Sequence, residues 1–259
     1  MRAFGGLFMR IIRALIVSIL TVTFDLLAVG NLDAQSLIQI IANPGMKSVF
    51  EELAPQFERA SGYKIAVQYG LFDQLKNRAE ASDFDVAITT GKVANYKFIE
   101  GTRTDIARVG IGVAIRVGAP KPDISTTESF KQALLNAKSI SYTKGSTAGI
   151  YLAGLMDRLG IAEEIKRKTK LMGGGGQNPK AVSADEIELG LSIISDILPV
   201  AGVEVLGPLP PELQNYVMET AGVGMATKDR AAADALIAFL KGPIAKSIFR
   251  AKGFEPVTY

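Results

Sequence analysis

The sequence predicts an α/β protein built on a mostly parallel sheet, and three observations carry that expectation. Strand-turn-helix units follow one another through the first part of the chain, with strands at 37–41, 63–69 and 83–88. A further unit occupies 139–161, where Ile140 and Tyr142 alternate as a short strand, a polar turn follows, and Ile150, Leu152, Leu155, Met156 and Leu159 recur at helical spacing. The chain closes on two helical segments, 229–240 and 243–252. In such sheets a ligand lies outside the carboxyl ends of the strands, so the turns at 43–46, 70–72 and 89–91 are expected to line one edge.

The first 34 residues read as a signal peptide rather than as part of the fold. Arg2, Arg10 and Arg13 precede or edge an apolar run over 14–24, and Leu32-Asp33-Ala34 offers a small residue for cleavage. Asp25 interrupts the run, which is short for a membrane span. The expected product is soluble and exported, beginning near Gln35. Removing the leader's three arginines and two aspartates from 29 basic and 26 acidic residues leaves 26 against 24. That balance gives no electrostatic footprint for nucleic acid, and the run Lys166-Arg167-Lys168 reads as the solvated end of a helix.

Cysteine and histidine are both absent. Disulfides, a lipid-bearing N-terminal cysteine, Ser-His-Asp and Cys-His nucleophile systems, and zinc sites of imidazole or thiolate are thereby excluded. No cofactor is expected. An enzyme on this chain would have to work with carboxylates, Lys, Tyr or a Ser-Lys pair.

The first strand leads through Asn43-Pro44-Gly45-Met46 into an amphipathic helix with Val49, Phe50, Leu53, Ala54 and Phe57 on one face. Asn43 can donate a hydrogen bond and Gly45 can let backbone approach a ligand, although an ordinary strand-to-helix turn uses the same residues. That helix ends at Ser61-Gly62, the second strand follows, and Gly70-Leu71-Phe72 opens a helix through Leu75 and Ala79. A glycine-containing strand spans 108–115. Ser125 and Glu128 have capping-box spacing ahead of a helix through Phe130 and Leu134.

Ser146 or Thr147 stands at the N-cap of the helix within 139–161, where free backbone N–H groups and the positive end of a helix dipole suit an anion. Ser146 has two readings, a cap for its own helix or a ligand contact. Gly173 to Gly176 lack the Gly-Lys-Ser/Thr ending of a phosphate loop and read as a flexible connection. A helix is expected over 179–191, a strand over 191–195, a strand and proline-rich return over 203–211, and a strand over 217–226.

This layout resembles the periplasmic solute-binding proteins of ABC importers, specifically the molybdate-binding-protein-like branch. The resemblance rests on 42–46 with 51–58 and Gly62, on Asp83-Phe84-Asp85-Val86-Ala87, on 145–160, and on 232–239 with 245–254 and Gly253-Phe254-Glu255-Pro256. It implies the two-lobed type II periplasmic-binding-protein fold, each lobe a mostly parallel sheet flanked by helices, the lobes joined by two crossover strands. Those crossings are expected near 110–115 and 208–223, giving lobe 1 from 35–112 and 219–259 and lobe 2 from 113–218. The ligand would sit between the lobes, and hinge closure would be read by the permease.

The resemblance places the contacts at Asn43, Gly45 and Met46, at Gly70, Leu71 and Phe72, at Ser146, Thr147, Ala148 and Gly149, at Val182, and at Ser195. Molybdate binders carry hydroxyls at the first two of these turns, and this chain does not. An oxyanion needs convergent donors, so the loss argues for a small organic acid over molybdate or tungstate. Arg116 and Lys144 are candidates for added charge. The expected function is capture of a small anionic solute in the periplasm by a monomer that delivers it to an ABC permease, without catalysis. The alternatives are a secreted carboxylate-dependent enzyme, which a pocket with no titratable pair would disfavour, and a sensory domain for a membrane receptor.

Overall fold

The computed structural model describes residues 36–81, 83–90, 96–174 and 176–257. The predicted leader over 1–34 and the Gly91 end of the third turn lie outside the described residues. Among the described residues no helix is long and apolar enough to cross a membrane.

β1 (Leu37–Ala42), β2 (Lys64–Tyr69) and β3 (Val86–Thr90) form the parallel unit that the periodicity predicts, with Leu37 opposite Lys64 and Ile40 opposite Val86. A single 3₁₀ turn at Pro44–Met46 joins β1 to α1 (Lys47–Ser61), whose Val49, Phe50, Leu53 and Phe57 are buried. Gly62 ends this helix at φ 78°, donating its N–H to the Glu58 carbonyl at 3.0 Å. Such a left-handed C-terminal position carries no steric cost for glycine. α2 (Phe72–Ala81) crosses from β2 to β3. Beneath it Leu75, Ala79, Phe84 and Tyr96 form a small separate core, with the Tyr96 and Phe98 rings stacked 5.8 Å apart.

β4 (Thr104–Arg116) organises everything else. Its first half pairs antiparallel with β9 (Tyr216–Val223), which in turn lies antiparallel to β3. From Ile111 onward β4 changes partners, to β7 (Leu189–Ile193) on one side and β8 (Val203–Pro208) on the other. Parallel pairing then carries the sheet from β7 to β5 (Ile140–Thr143) and on to β6 (Thr169–Met172). The strand order is β2-β1-β3-β9-β4-β7-β5-β6. From Val109 to Ile115 every β4 residue is buried, the unalternating pattern of a strand covered on both faces. This mixed, mostly parallel architecture with flanking helices is the expected fold class.

Helices α3 (Thr127–Asn136), α4 (Thr147–Arg158), α5 (Ala162–Lys166), α6 (Gln177–Ser183) and α7 (Ile194–Ile197) belong to the middle of the chain. α8 (Arg230–Lys241) and α9 (Pro243–Ala251) close it, and a short β10 (Glu255–Pro256) pairs with β4. Both closing helices pack back near α1, where Phe57 meets Phe239 edge to face at 5.4 Å.

Two local expectations are corrected, and one strand is new. The capping box is Thr126 with Ser129, one residue later than predicted, because Ser125 donates its N–H to Asp123 Oδ1 and belongs to the preceding turn. The helix expected over 179–191 stops at Ser183; Asp185 takes φ 63°, and the chain is extended again from Leu189. β6 carried no apolar signature, since it sits at the sheet edge with Lys170 and Leu171 exposed.

Candidate functional site

A cavity of about 910 Å³ opens at the ends of β1, β3, β5 and β7, against the start of α4. Its position follows from topology: both sets of parallel strands direct their carboxyl ends toward it.

The α4 side is built locally. Ser146 caps the helix: its Oγ accepts from Gly149 N–H at 3.0 Å and donates to the Thr143 carbonyl at 3.0 Å. Both readings of Ser146 are thus answered in part, since its hydroxyl works as a cap while the residue lines the cavity. Helix geometry leaves the N–H groups of Thr147 and Ala148 as donors at the positive end of the helix dipole. Gly149 is required here, because an added Cβ would stand 1.9 Å from the Thr143 carbonyl oxygen. Lys144 is the only cation among the described lining residues. Arg116 lies elsewhere, 3.3 Å from Asp185.

Opposite stands a wall assembled from distant segments. Asn43 caps the 44–46 turn, its Oδ1 accepting from Gly45 N–H at 3.0 Å, and its Nδ2 donates to Glu219 Oε2 at 2.6 Å. Glu219 has 0 % of its surface exposed. Burial pushes its carboxyl up to about 8, a nearby Asp196 adds to the rise, and the Asn43 hydrogen bond opposes it. Asp196 faces the cavity and is itself raised to about 6 by burial, against a 3.3 Å hydrogen bond from Ser192 Oγ. Its Oδ1 lies 3.5 Å from where a Cβ on Gly45 would be. The missing side chain at Gly45 therefore admits Asp196 and Ile193 to the turn.

Hydroxyls come from places the resemblance does not indicate. Thr89 and Thr90 end β3, and Thr143 ends β5; all three line the cavity. Thr89 Oγ1 and Thr143 Oγ1 are buried without a hydrogen-bond partner. Thr90 Oγ1 lies 2.9 Å from Thr147 Oγ1, which bridges the two sides of the cavity. Apolar surface completes the lining, chiefly Leu71, Leu75, Ile88, Leu191, Ile193 and Val217.

Of the predicted contacts, the structure brings Asn43, Gly45, Gly70, Leu71, Ser146, Thr147, Ala148 and Gly149 to this cavity. Met46 is fully buried in the main core instead, as an unbranched apolar side chain beside α1 readily is. Val182 packs under α6 with Ala181 and Ile197, where the bare Gly190 lets that helix approach β7. Ser195 is buried without lining the cavity; β7 gives way to a helical turn at Ile194, so the residue that reaches inward is Asp196. Phe72 begins α2, and its side chain lies outside the described residues. The polar members beyond those contacts are Gln74, Tyr96, Thr143, Ser192 and Asp196, with Glu219 behind them, and Thr89 and Thr90 come from the turn that the strand order had placed on this edge. The turn at 89–91 was the available signal for Thr89 and Thr90. Among the described residues no group of three or more Cys, His, Asp or Glu could hold a metal ion.

Comparison with known proteins bears on what this cavity accepts. Residues 38–255 match the sequence profile of the bacterial extracellular solute-binding proteins. An aconitate isomerase from a Pseudomonas species is 28% identical over 232 residues, covering 85% of this chain and 88% of that protein. The molybdate-binding protein ModA of Azotobacter vinelandii is 26% identical over 231 residues, covering 84% of this chain and 89% of its own. The substrate-binding domain of a putative molybdenum ABC transporter from Clostridium difficile superposes with a TM-score of 0.68 at 17% identity, over 86% of this chain and 100% of that one.

Proposed function

The chain belongs to the family of bacterial extracellular solute-binding proteins, and from that premise we propose that it captures a small organic acid between two lobes and delivers it to an ABC importer. The observation that carries this reading is the composition of the cavity. A space of about 910 Å³ is large for a tetrahedral oxyanion of five heavy atoms and lies in the range of sites for small organic molecules. Its apolar lining has no partner in an oxyanion, whereas a carbon skeleton buries against it at roughly 25 cal/mol per Å². The Asp196 carboxylate opposes a compact dianion on one wall, while the start of α4 offers donors to a carboxylate on the other. The absence of hydroxyls at the first two turns no longer contributes, because Thr89 and Thr90 supply hydroxyls to that side.

The relatives agree with an anion site and divide over its occupant: one is named for molybdate, the other for acting on the organic acid aconitate. The proposal extends to the periplasm as location, with the leader removed near Ala34, and to a monomer that presents its closed form to the permease. The lobes are drawn as 35–112 with 219–259 and as 113–218, near the point at which β4 changes partners at Ile111. One feature favours a second reading: a titratable pair, Asp196 and Glu219, stands at the cavity, and a carboxylate-dependent isomerase would use one.

A thermal-shift screen of the mature protein tests both readings. A di- or tricarboxylic acid is expected to raise the melting temperature more than molybdate, tungstate or sulfate at equal concentration, because stabilisation follows the tighter dissociation constant. Submicromolar molybdate or tungstate with no shift by any organic acid refutes the preference. The recovered acid should be chemically unchanged by NMR; conversion to an isomer would establish the enzyme instead.

A further inference from the structure

Two carboxyl groups from separate segments meet at one wall of the cavity, and among the described residues no ion pair neutralises them. Asp196 faces the cavity from α7. Glu219 is fully buried on β9, its Oε2 bonded to Asn43 and its Oε1 without a hydrogen-bond partner. The described charged groups on the surrounding elements are engaged elsewhere; on α8, which packs on β9, Arg230 pairs with Asp234. On β4, Arg116 pairs with Asp185, Arg108 with Glu255, and Asp105 accepts from Thr220. On β8, Glu204 pairs with Lys121; at the start of α1, Lys47 pairs with Glu51; beside the Gly253 turn that packs on α7, Lys252 pairs with Glu52. β3, β7 and the 44–46 turn carry no charged side chain, and β7 contributes only the Ser192 hydroxyl. Lys144 stands on the approach to α4, in the part of the lining that offers donors.

A ligand that places one carboxylate at the start of α4 presents the rest of its skeleton to this acidic wall. A second carboxylate there would face Asp196 with Glu219 behind it. Like charges in a partly desolvated site cannot both stay ionised, and the less costly state is one proton shared between the two carboxyl groups. A lone apolar tail would instead cover the half-buried Asp196 carboxylate and leave it only the Ser192 hydrogen bond.

We propose that the cavity selects a polycarboxylic acid, and that capture takes up one proton, held between a ligand carboxyl and Asp196. This rests on the organic-acid reading of the same cavity and adds to it the ligand's second carboxyl and the proton. No bond to carbon changes: the proton comes from solvent on binding and returns to it on release.

The test is calorimetric titration of the whole mature protein with tricarballylate, with butyrate as the monocarboxylate control, in buffers of different ionisation enthalpy near pH 7.5. Tricarballylate should bind with uptake of about one proton, so that its affinity falls about tenfold per pH unit above neutrality, and butyrate should bind more weakly. Asp196→Asn should remove the uptake and the pH dependence. Tricarballylate binding without proton uptake by the wild type overturns this inference and leaves the organic-acid reading intact. If neither acid binds while molybdate does, both fall. Should Asp196→Asn fail to fold, the wild-type buffer series alone decides.

Discussion

The two walls of the cavity differ in kind. The wall at the start of α4 offers backbone donors and one lysine and has its hydroxyl cap already satisfied, whereas the wall at Asn43, Asp196 and Glu219 carries acid groups and an oxygen with no donor. One wall suits an acceptor and the other a group that brings a proton. The contrast teaches that the site is polarised, and a symmetric tetrahedral anion gains nothing from polarity of that sort. It also sets the two walls different tasks: rigidity in the first, protonation in the second.

The largest expected effect tests the rigid wall. Gly149→Ala puts a Cβ 1.9 Å from the Thr143 carbonyl oxygen, so backbone has to move, and a loss of about 3 kcal/mol in denaturant unfolding is expected together with loss of ligand stabilisation. Wild-type stability in that variant would mean that the α4 start is not packed as described.

An intermediate effect tests the acidic wall. Glu219 keeps its proton in the folded state up to about 8, whereas an ordinary glutamate releases it near 4.5. Its contribution is therefore complete below the lower value, declines as pH rises between the two, and is lost above the upper one. Melting curves should show wild-type stability falling across that window and Glu219→Gln falling less, with only the part that Asp196 contributes left below about 6. Parallel curves for the two proteins would remove Glu219 from the explanation.

The smallest effect separates a cap from a contact. Ser146→Ala should cost about 1 kcal/mol of stability through the lost cap and change ligand affinity by less than about threefold. Unchanged stability with a tenfold weaker ligand would reverse the assignment.

How much was legible in the sequence follows the same division. The α4 wall lies within 143–149, and apolar spacing together with one Ser sufficed to place it. The acidic wall joins residues 176 positions apart, and nothing near Glu219 distinguishes it from any other polar residue in an alternating strand. Asp196 was missed by one residue because β7 turns helical at Ile194, where strand alternation no longer says which side chain faces inward. Met46 and Val182 were drawn toward the site by resemblance, though as apolar residues their own preference is the core, where the structure puts them. The three parallel strands and the closing helices were readable because each buries a face at its own period.

The placement of β9 has a kinetic meaning. This strand, from near the end of the chain, lies between β3 and β4, although 99 residues, 117–215, separate it even from the end of β4 at Arg116. Until residue 223 is available, β3 and the first half of β4 are each an open edge, and no local pairing can close them. The loop that must close is long, so the first sheet forms late and slowly compared with the local pairing of β5 with β6. A chain emerging amino end first thus stays unfinished, with its cavity unformed, until nearly all of it has arrived.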